Sequence, residues 1–231
     1  MTIDVTLIIP ALNEAGCIGP LLGELPTGLV QQVVVVDNGS TDDTAGAARR
    51  AGAQVVREPR RGYGFACAAG VAAAHGNVLA FMDGDGSFVP AELGTLLAPI
   101  AAGTADLTLG TRMRRGMVPG AMPPHQRVGN QLVAGLTRRL YSIELTDLGP
   151  FRAIRRDLLE SLHMREQTYG WPIEMIVKAA RQHARIVEQP VSYRPRMAGQ
   201  SKVGGTVRGT VLATYRILYT TLRYAISGSP R

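Results

Sequence analysis

Residues 32–57 read QVVVVDNGSTDDTAGAARRAGAQVVR. The valine run is a β-branched stretch suited to a buried strand, and it stops abruptly at Asp37. Turn residues follow, then a helix-like stretch over Asp42–Ala51, then a second β-branched run at Gln54–Arg57. That order is a βαβ unit, in which a helix carries the chain between two parallel strands. The alternation extends both ways. Strand-like runs occur at Val5–Ile9, Val78–Met82 and Asp106–Leu109, and helix-like stretches at Ala15–Leu25, Gly64–His75 and Pro90–Ala102. The expected fold is α/β, a mainly parallel sheet with helices on both faces.

Ligands of such sheets bind beyond the carboxyl ends of the strands. Three polar clusters fall there: Pro10–Glu14, Asp37–Asp42 and Asp83-Gly84-Asp85-Gly86. Ser40 or Thr41 is expected to N-cap the following helix, with Asp42 and Asp43 at its positive end. Asp37 is fixed by its strand and expected to face solvent, where it could accept bonds from a base or ribose. Two aspartates one residue apart can both reach a hard divalent cation, Mg²⁺ or Mn²⁺, and glycines permit close ligand approach. An Asp-Gly turn without any metal uses the same residues.

Lys and Arg number 25 against 18 Asp and Glu, for a net charge of +7. That balance points to anionic partners: phosphorylated substrates, anionic lipid or nucleic acid. Aromatics make up only 5% of the chain, and no helix-turn-helix or zinc-finger spacing occurs, so nucleic acid is not an expected partner. Cys17 and Cys67 read as buried thiols of a reducing compartment. The N-terminus lacks a signal-peptide pattern, and no run of about 18 uncharged apolar residues is present to span a membrane. The oligomeric state is left open.

Beyond residue 110 the pattern changes. Thr111–Pro124 and Pro195–Gly205 read as long loops rich in Arg, Gly and Met or Lys. Helices are expected at His125–Tyr141, Arg155–Leu162 and Pro172–Gln182, a strand near Ile186–Tyr193, and a last helix at Thr206–Ile226. On that last helix Val207, Val211, Leu218, Leu222 and Ala225 share a sector of about 60°, read as the packing stripe. Arg208, Arg216 and Arg223 lie beside it and suit an anionic membrane surface. His125 and His163 read as surface residues. Glu174 opens a helix and suits its dipole.

Taken together, Pro10–Glu14, Val35–Asp42 and Asp83–Asp85 resemble the nucleotide-sugar signature of glycosyltransferase family 2, with its GT-A fold. Leu148-Gly149-Pro150-Phe151-Arg152, Tyr169–Met175 and Arg196 with Gly199–Lys202 are similar to the polyprenyl- or dolichol-phosphate sugar synthases, of which dolichol-phosphate mannose synthase is the type case. The resemblance covers about residues 3–210. It implies that Pro10, Leu12, Glu14, Val35 and Asp37 hold the nucleoside of a GDP- or UDP-hexose. It implies that Asp83, Gly84 and Asp85 bind metal and diphosphate, Asp85 the stronger metal ligand. Arg112 would reach a phosphate, and Arg196 and Lys202 would close over the diphosphate or the acceptor phosphate.

The reaction implied is an inverting, metal-dependent hexosyl transfer to a polyprenyl phosphate at the cytoplasmic membrane face. A soluble hydroxyl acceptor would need a base, for which Asp147 is placed; a non-catalytic nucleotide-sugar-binding module is the remaining alternative. Residues 1–205 would be the GT-A domain and 206–231 an amphipathic helix and tail. The chain departs from that family in carrying no C-terminal spanning helices, in Gly86-Ser87-Phe88 after the aspartates, and in Gly149-Pro150.

Overall fold

The computed structural model describes residues 3–113, 117–118, 120–199 and 207–226, with the backbone alone for 207–212. The strands expected from β-branched runs form: β1 (Val5–Ala11), β2 (Gln32–Asp37), β3 (Gln54–Arg57), β4 (Val78–Phe81) and β5 (Leu107–Thr111). They alternate with helices α1 (Ala15–Gly23), α2 (Thr44–Arg50), α3 (Tyr63–Ala73) and α4 (Leu93–Ala101), the last entered through a 3-10 turn at Pro90–Glu92. Successive side chains of a strand point to opposite faces. Leu7, Ile9 and Val35 accordingly pack with Ile18, Leu21, Leu96 and Leu97 on one face. Ile8, Val34 and Val36 pack with Ala66 and Cys67 of α3 on the other.

The sheet has seven strands in the order β3-β2-β1-β4-β6-β5-β7, with β6 at Arg152–Arg155 and β7 at Ile186–Pro190. Every pairing is parallel except those of β6, which runs antiparallel to both β4 and β5. Sequence reading finds no strand at β6. Four residues with an arginine at each end do not look buried, yet Arg152 is 1% exposed. Its guanidinium is accommodated by carbonyls, bonding Pro172 O at 2.8 Å and also Gly149 O. The reversal has a consequence for the site. Arg152 pairs with Phe81, the last residue of β4, so the segment entering β6 arrives at the edge where β4 ends.

Pro10 sits inside β1 without cost. The pairing of β1 with β4 stops at Ile8↔Phe81, so Pro10 lies beyond the last ladder pair on that side. The second half adds α5 (Pro124–Tyr141), α6 (Arg156–Ser161), α7 (Trp171–Arg181) and α8 (Val207–Ile226). Buried Glu174 does more than sit at a helix start. It accepts backbone N–H bonds from Arg165 and Glu166, pairs with Lys178 at 2.8 Å, and takes the Tyr224 hydroxyl of α8 at 2.6 Å.

The packing face of α8 differs from the expected stripe. Ala213, Thr220 and Thr221 are buried, and Ile217 and Tyr224 join the core, whereas Leu222 is 44% exposed and Ala225 is exposed. A buried threonine is cheap here because Thr221 Oγ1 donates to Ile217 O one turn back, at 2.8 Å. The side chains of Val207, Arg208 and Val211 lie outside the described residues.

Candidate active site

Two strand ends are stitched together by side chains that substitute for a helix cap. The N-cap position of α2 is Asp43, and it makes no side-chain capping bond. Ser40 and Thr41 are used elsewhere. Asn13 N donates to Ser40 Oγ at 2.9 Å, and Thr41 N donates to Asn13 Oδ1 at 2.7 Å. Glu14 N donates to Thr44 Oγ1 at 2.8 Å, and Ala15 N to Asp42 Oδ2 at 3.1 Å. Asn13 holds a positive φ of 53°, a conformation asparagine tolerates. The Pro10–Glu14 and Asp37–Asp42 clusters therefore form one rigid rim.

Asp37 is less open than expected, at 8% exposure. Its Oδ1 accepts the N–H of Ser40, three residues on, at 2.9 Å, which orients the carboxylate. Val35 is fully buried among the core residues of β1, α1 and α2, so its side chain supports the strand and cannot touch a ligand. Pro10 and Leu12 are half-buried on the rim. Asn38 was not foreseen. Its amide donates to Glu58 O at 3.0 Å and Arg60 O at 2.7 Å, and its Oδ1 accepts Gly62 N at 2.9 Å, tying the loop after β3 to the rim.

The turn Asp83-Gly84-Asp85-Gly86 follows β4 directly. Burial, then the Asp85 charge beside it, pushes the Asp83 carboxyl up to about 7. The Asp85 side chain is 21% exposed, and its Oδ1 accepts Ser87 N–H at 2.9 Å. Gly86 has φ +75°, and an added Cβ would come within 2.5 Å of Met197 Cγ. Both facts require glycine.

Met197 belongs to the loop after β7, which folds back over the acidic turn. Met197 N donates to Asp85 O at 3.0 Å, Arg194 N to Ser87 O at 3.0 Å, and Arg194 Nε to Gly86 O at 2.6 Å. Between these anchors Arg196 reaches Glu14, its Nη2 lying 2.7 and 2.8 Å from the two carboxylate oxygens. Its Nη1 is 3.8 Å from Asp85 Oδ2. Residues more than a hundred positions apart thus converge. Lys202, expected beside it, lies outside the described residues.

Arg112 and Asp147 meet in an arrangement that sequence reading did not anticipate. Arg112 Nε donates to Asp147 Oδ2 at 2.7 Å, Nη2 to Oδ1 at 2.6 Å, and the backbone N to Oδ2 at 2.7 Å. The side chains are 11% and 0% exposed. Burial alone would raise the Asp147 pKa, but the Arg112 charge and hydrogen bonds outweigh it and hold the carboxyl below its usual range. As placed, Asp147 has neither the exposure nor a free oxygen to take a proton from an acceptor. Arg112 is committed to it, with its guanidinium 5.0 Å over the Tyr193 ring, rather than extended toward a phosphate.

Glu188 of β7 fixes the pair from behind. It accepts Thr146 N at 2.7 Å, Thr146 Oγ1 at 2.8 Å and Asp147 N at 3.0 Å. A glutamate inside a strand-like run, Ile186-Val187-Glu188, was the available signal.

Both cysteines are buried and unpaired with each other. Burial pushes their thiols up, in Cys17 with help from Glu14. Neither is set up as a nucleophile. Among the described residues, no three His, Cys, Asp or Glu side chains come together as a metal cage.

The family described as Glycosyl transferase family 2 matches residues 6–162. An uncharacterized glycosyltransferase of Mycobacterium tuberculosis is 42% identical over 210 residues, covering 90% of this chain and 94% of that protein. An undecaprenyl-phosphate mannosyltransferase of Micrococcus luteus is 32% identical over 219 residues, covering 89% of each. Among solved structures, glucosyl-3-phosphoglycerate synthase of Mycobacterium tuberculosis, in complex with Mn²⁺, uridine diphosphate and phosphoglyceric acid, superposes with a TM-score of 0.78. It covers 98% of this chain and 80% of that one, at 23% identity.

Proposed function

This chain belongs to glycosyl transferase family 2, and from that premise we propose that it transfers a hexose from a nucleotide-diphosphate sugar, with inversion, to a polyprenyl phosphate. The observation that carries the acceptor is the state of Asp147. A hydroxyl acceptor needs a base, and both oxygens of Asp147 are taken by Arg112. A phosphate is already ionised near neutral pH and needs none. The 32% identical Micrococcus luteus relative is named for an undecaprenyl-phosphate acceptor, which supports the same choice.

The donor would lie along the rim, its nucleoside near Pro10, Leu12 and Asp37 and its diphosphate over Asp83–Asp85. The donor set fits Mg²⁺ or Mn²⁺: two hard carboxylates on a glycine turn, the rest of the ligand shell left to phosphate and water. Asp83 and Asp85 would hold that ion, which when bound supplies positive charge to the departing diphosphate. Arg196, already 3.8 Å from Asp85, supplies further charge from the loop side. The acceptor phosphate oxygen forms the new bond to the anomeric carbon as the bond to the β-phosphate oxygen breaks. The electron pair leaves with the nucleoside diphosphate.

Among the described residues no helix is long and apolar enough to cross a membrane. In this proposal the lipid acceptor is met by peripheral contact at the cytoplasmic membrane face. The uridine diphosphate complex of the structural neighbour favours a uridine donor. Its phosphoglyceric acid favours a soluble acceptor as second reading, which requires Asp147 to be released from Arg112.

The test offers UDP- and GDP-hexoses with Mn²⁺ to the full chain, with a polyprenyl phosphate or phosphoglycerate as acceptor, and reads products by mass. A glycosylated lipid phosphate is expected, lost on chelation and in Asp85→Ala. Product on phosphoglycerate alone would overturn the proposal.

A further inference from the structure

Glu174 of α7 is 0% exposed, and no step of the proposed reaction uses it. A buried carboxylate is tolerated only where donors surround it. Four donors meet its two oxygens. Arg165 N and Glu166 N lie 3.0 and 2.7 Å from Oε2, and Lys178 Nζ and the Tyr224 hydroxyl lie 2.8 and 2.6 Å from Oε1. Lys178 Nζ also donates to His163 O at 2.8 Å. One carboxylate thus fixes the irregular segment between α6 and α7, residues 163–170.

The far side of that segment bears on the start of α3. Gln167 O accepts Phe65 N at 3.1 Å, an amide of the first helical turn that has no partner within its own helix. The N-cap position of α3 is Gly62, which makes no side-chain capping bond, so the loop carbonyl takes that place. The two backbones touch. A Cβ at Gly64 would come within 2.3 Å of Glu166 O, and one at Gly62 within 2.4 Å of Gln167 O. Gly62 N donates to Asn38 Oδ1 at 2.9 Å, and Asn38 directly follows Asp37 at the end of β2. Short links of chain and hydrogen bonds therefore lead from Glu174, through the loop and the head of α3, to the rim.

We propose that Glu174 is a positioning residue for nucleotide-sugar binding. It sets residues 165–167, these set the head of α3, and Asn38 passes that placement to Asp37. The inference rests on the reading that the rim at Asp37 holds the nucleoside. A carboxylate that served only to anchor α8 would act through Tyr224 alone, and its two bonds to the loop amides would have no effect on the rim.

The experiment titrates the full chain with UDP and with GDP, each with Mn²⁺, by calorimetry, and follows backbone hydrogen exchange on the same proteins. Glu174→Gln keeps the shape but turns an NH₂ group toward the donors. The Gly62 and Phe65 amides should exchange faster, and the nucleotide Kd should rise about ten-fold. In turnover the donor KM should rise by a similar factor, with kcat at saturating donor unchanged. Gly64→Ala leaves the Glu174 bonds in place but pushes α3 off the loop, and it should reproduce the rise in Kd; it decides the matter if Glu174→Gln does not fold. Tyr224→Phe removes only the bond to α8 and should leave both Kd and Phe65 exchange unchanged. The inference is overturned if the native chain binds nucleotide and Glu174→Gln or Gly64→Ala binds it equally well, or if Tyr224→Phe weakens binding as much as Glu174→Gln does. A native chain that binds neither nucleotide overturns the reading of the rim and this inference with it.

Discussion

Replacing Asp147 by Asn separates a positioning role from a chemical one. The carboxylate is 0% exposed and its guanidinium partner 11%, so the substitution leaves a buried cation without its counter-charge. Breaking such a pair from one side costs about 3–5 kcal/mol. Asn keeps one oxygen of the right shape, which places the expected loss near the lower end, about 3 kcal/mol. With a urea slope of about 2–3 kcal/mol per M for a domain of this size, the midpoint should fall by roughly 1–1.5 M. Removing both charges together, Asp147→Leu with Arg112→Met, should cost less than the two single changes added, by about 2–3 kcal/mol. Urea unfolding followed by circular dichroism measures all four corners, and turnover with a phosphate acceptor is measured on the same samples. If Asp147→Asn leaves the midpoint in place while turnover drops about 10²–10⁴-fold, Asp147 is a base and the reasoning fails.

Gly86→Ala strains a backbone at φ +75° and drives a Cβ into Met197, so the donor KM should rise with a stability loss of about 1–2 kcal/mol. Adding Met197→Ala relieves the clash but not the φ, and a complete rescue would show that the backbone angle does not matter. The Asp106 carboxyl is lowered from 3.8 to about 2, chiefly by its hydrogen bond to Arg185. A depressed folded-state pKa contributes stability above the unfolded value, and that contribution is lost as pH falls from about 4 to about 2. With Asp106 19% and Arg185 51% exposed, solvent screening discounts the pair to about 1 kcal/mol. The unfolding midpoint of Asp106→Asn should therefore fall less steeply with acid over that window, and parallel curves would refute the assignment.

What the sequence made legible is what local chemistry decides. Val33–Val36 and Val78–Phe81 are apolar on both faces, so a buried parallel strand was readable, and with it the edge where Asp37 and Asp83 lie. Arg196 was placed at that edge by family resemblance alone. The antiparallel β6 was not readable, because its burial depends on carbonyls of Gly149 and Pro172 that only the tertiary fold brings to Arg152. The cap of α2 misled for a related reason: Ser40 and Thr41 satisfy Asn13, a residue 27 or 28 positions away. On α8, hydropathy pointed to Leu222 while the fold buries Thr220 and Thr221, and the polarity of Thr221 is hidden by its bond to Ile217 O.

The missed strand also explains which carboxylates are left for a cation. Reversing β6 carries Asp147 to the edge where β4 delivers Asp83 and Asp85, and Glu14 arrives there from β1. Four acids in one cleft would repel each other unless each found a partner. Arg112 takes Asp147, and Arg196 takes Glu14 at 2.7 Å. Arg152, the remaining buried guanidinium, bonds to carbonyls and acts on Asp83 only through space. Asp83 and Asp85 are thus the carboxylates of this cleft without a close guanidinium bond, and they stand on the glycine turn. Their shared charge is what a divalent ion with a diphosphate would meet. A diphosphate entering there would compete with Glu14 for Arg196.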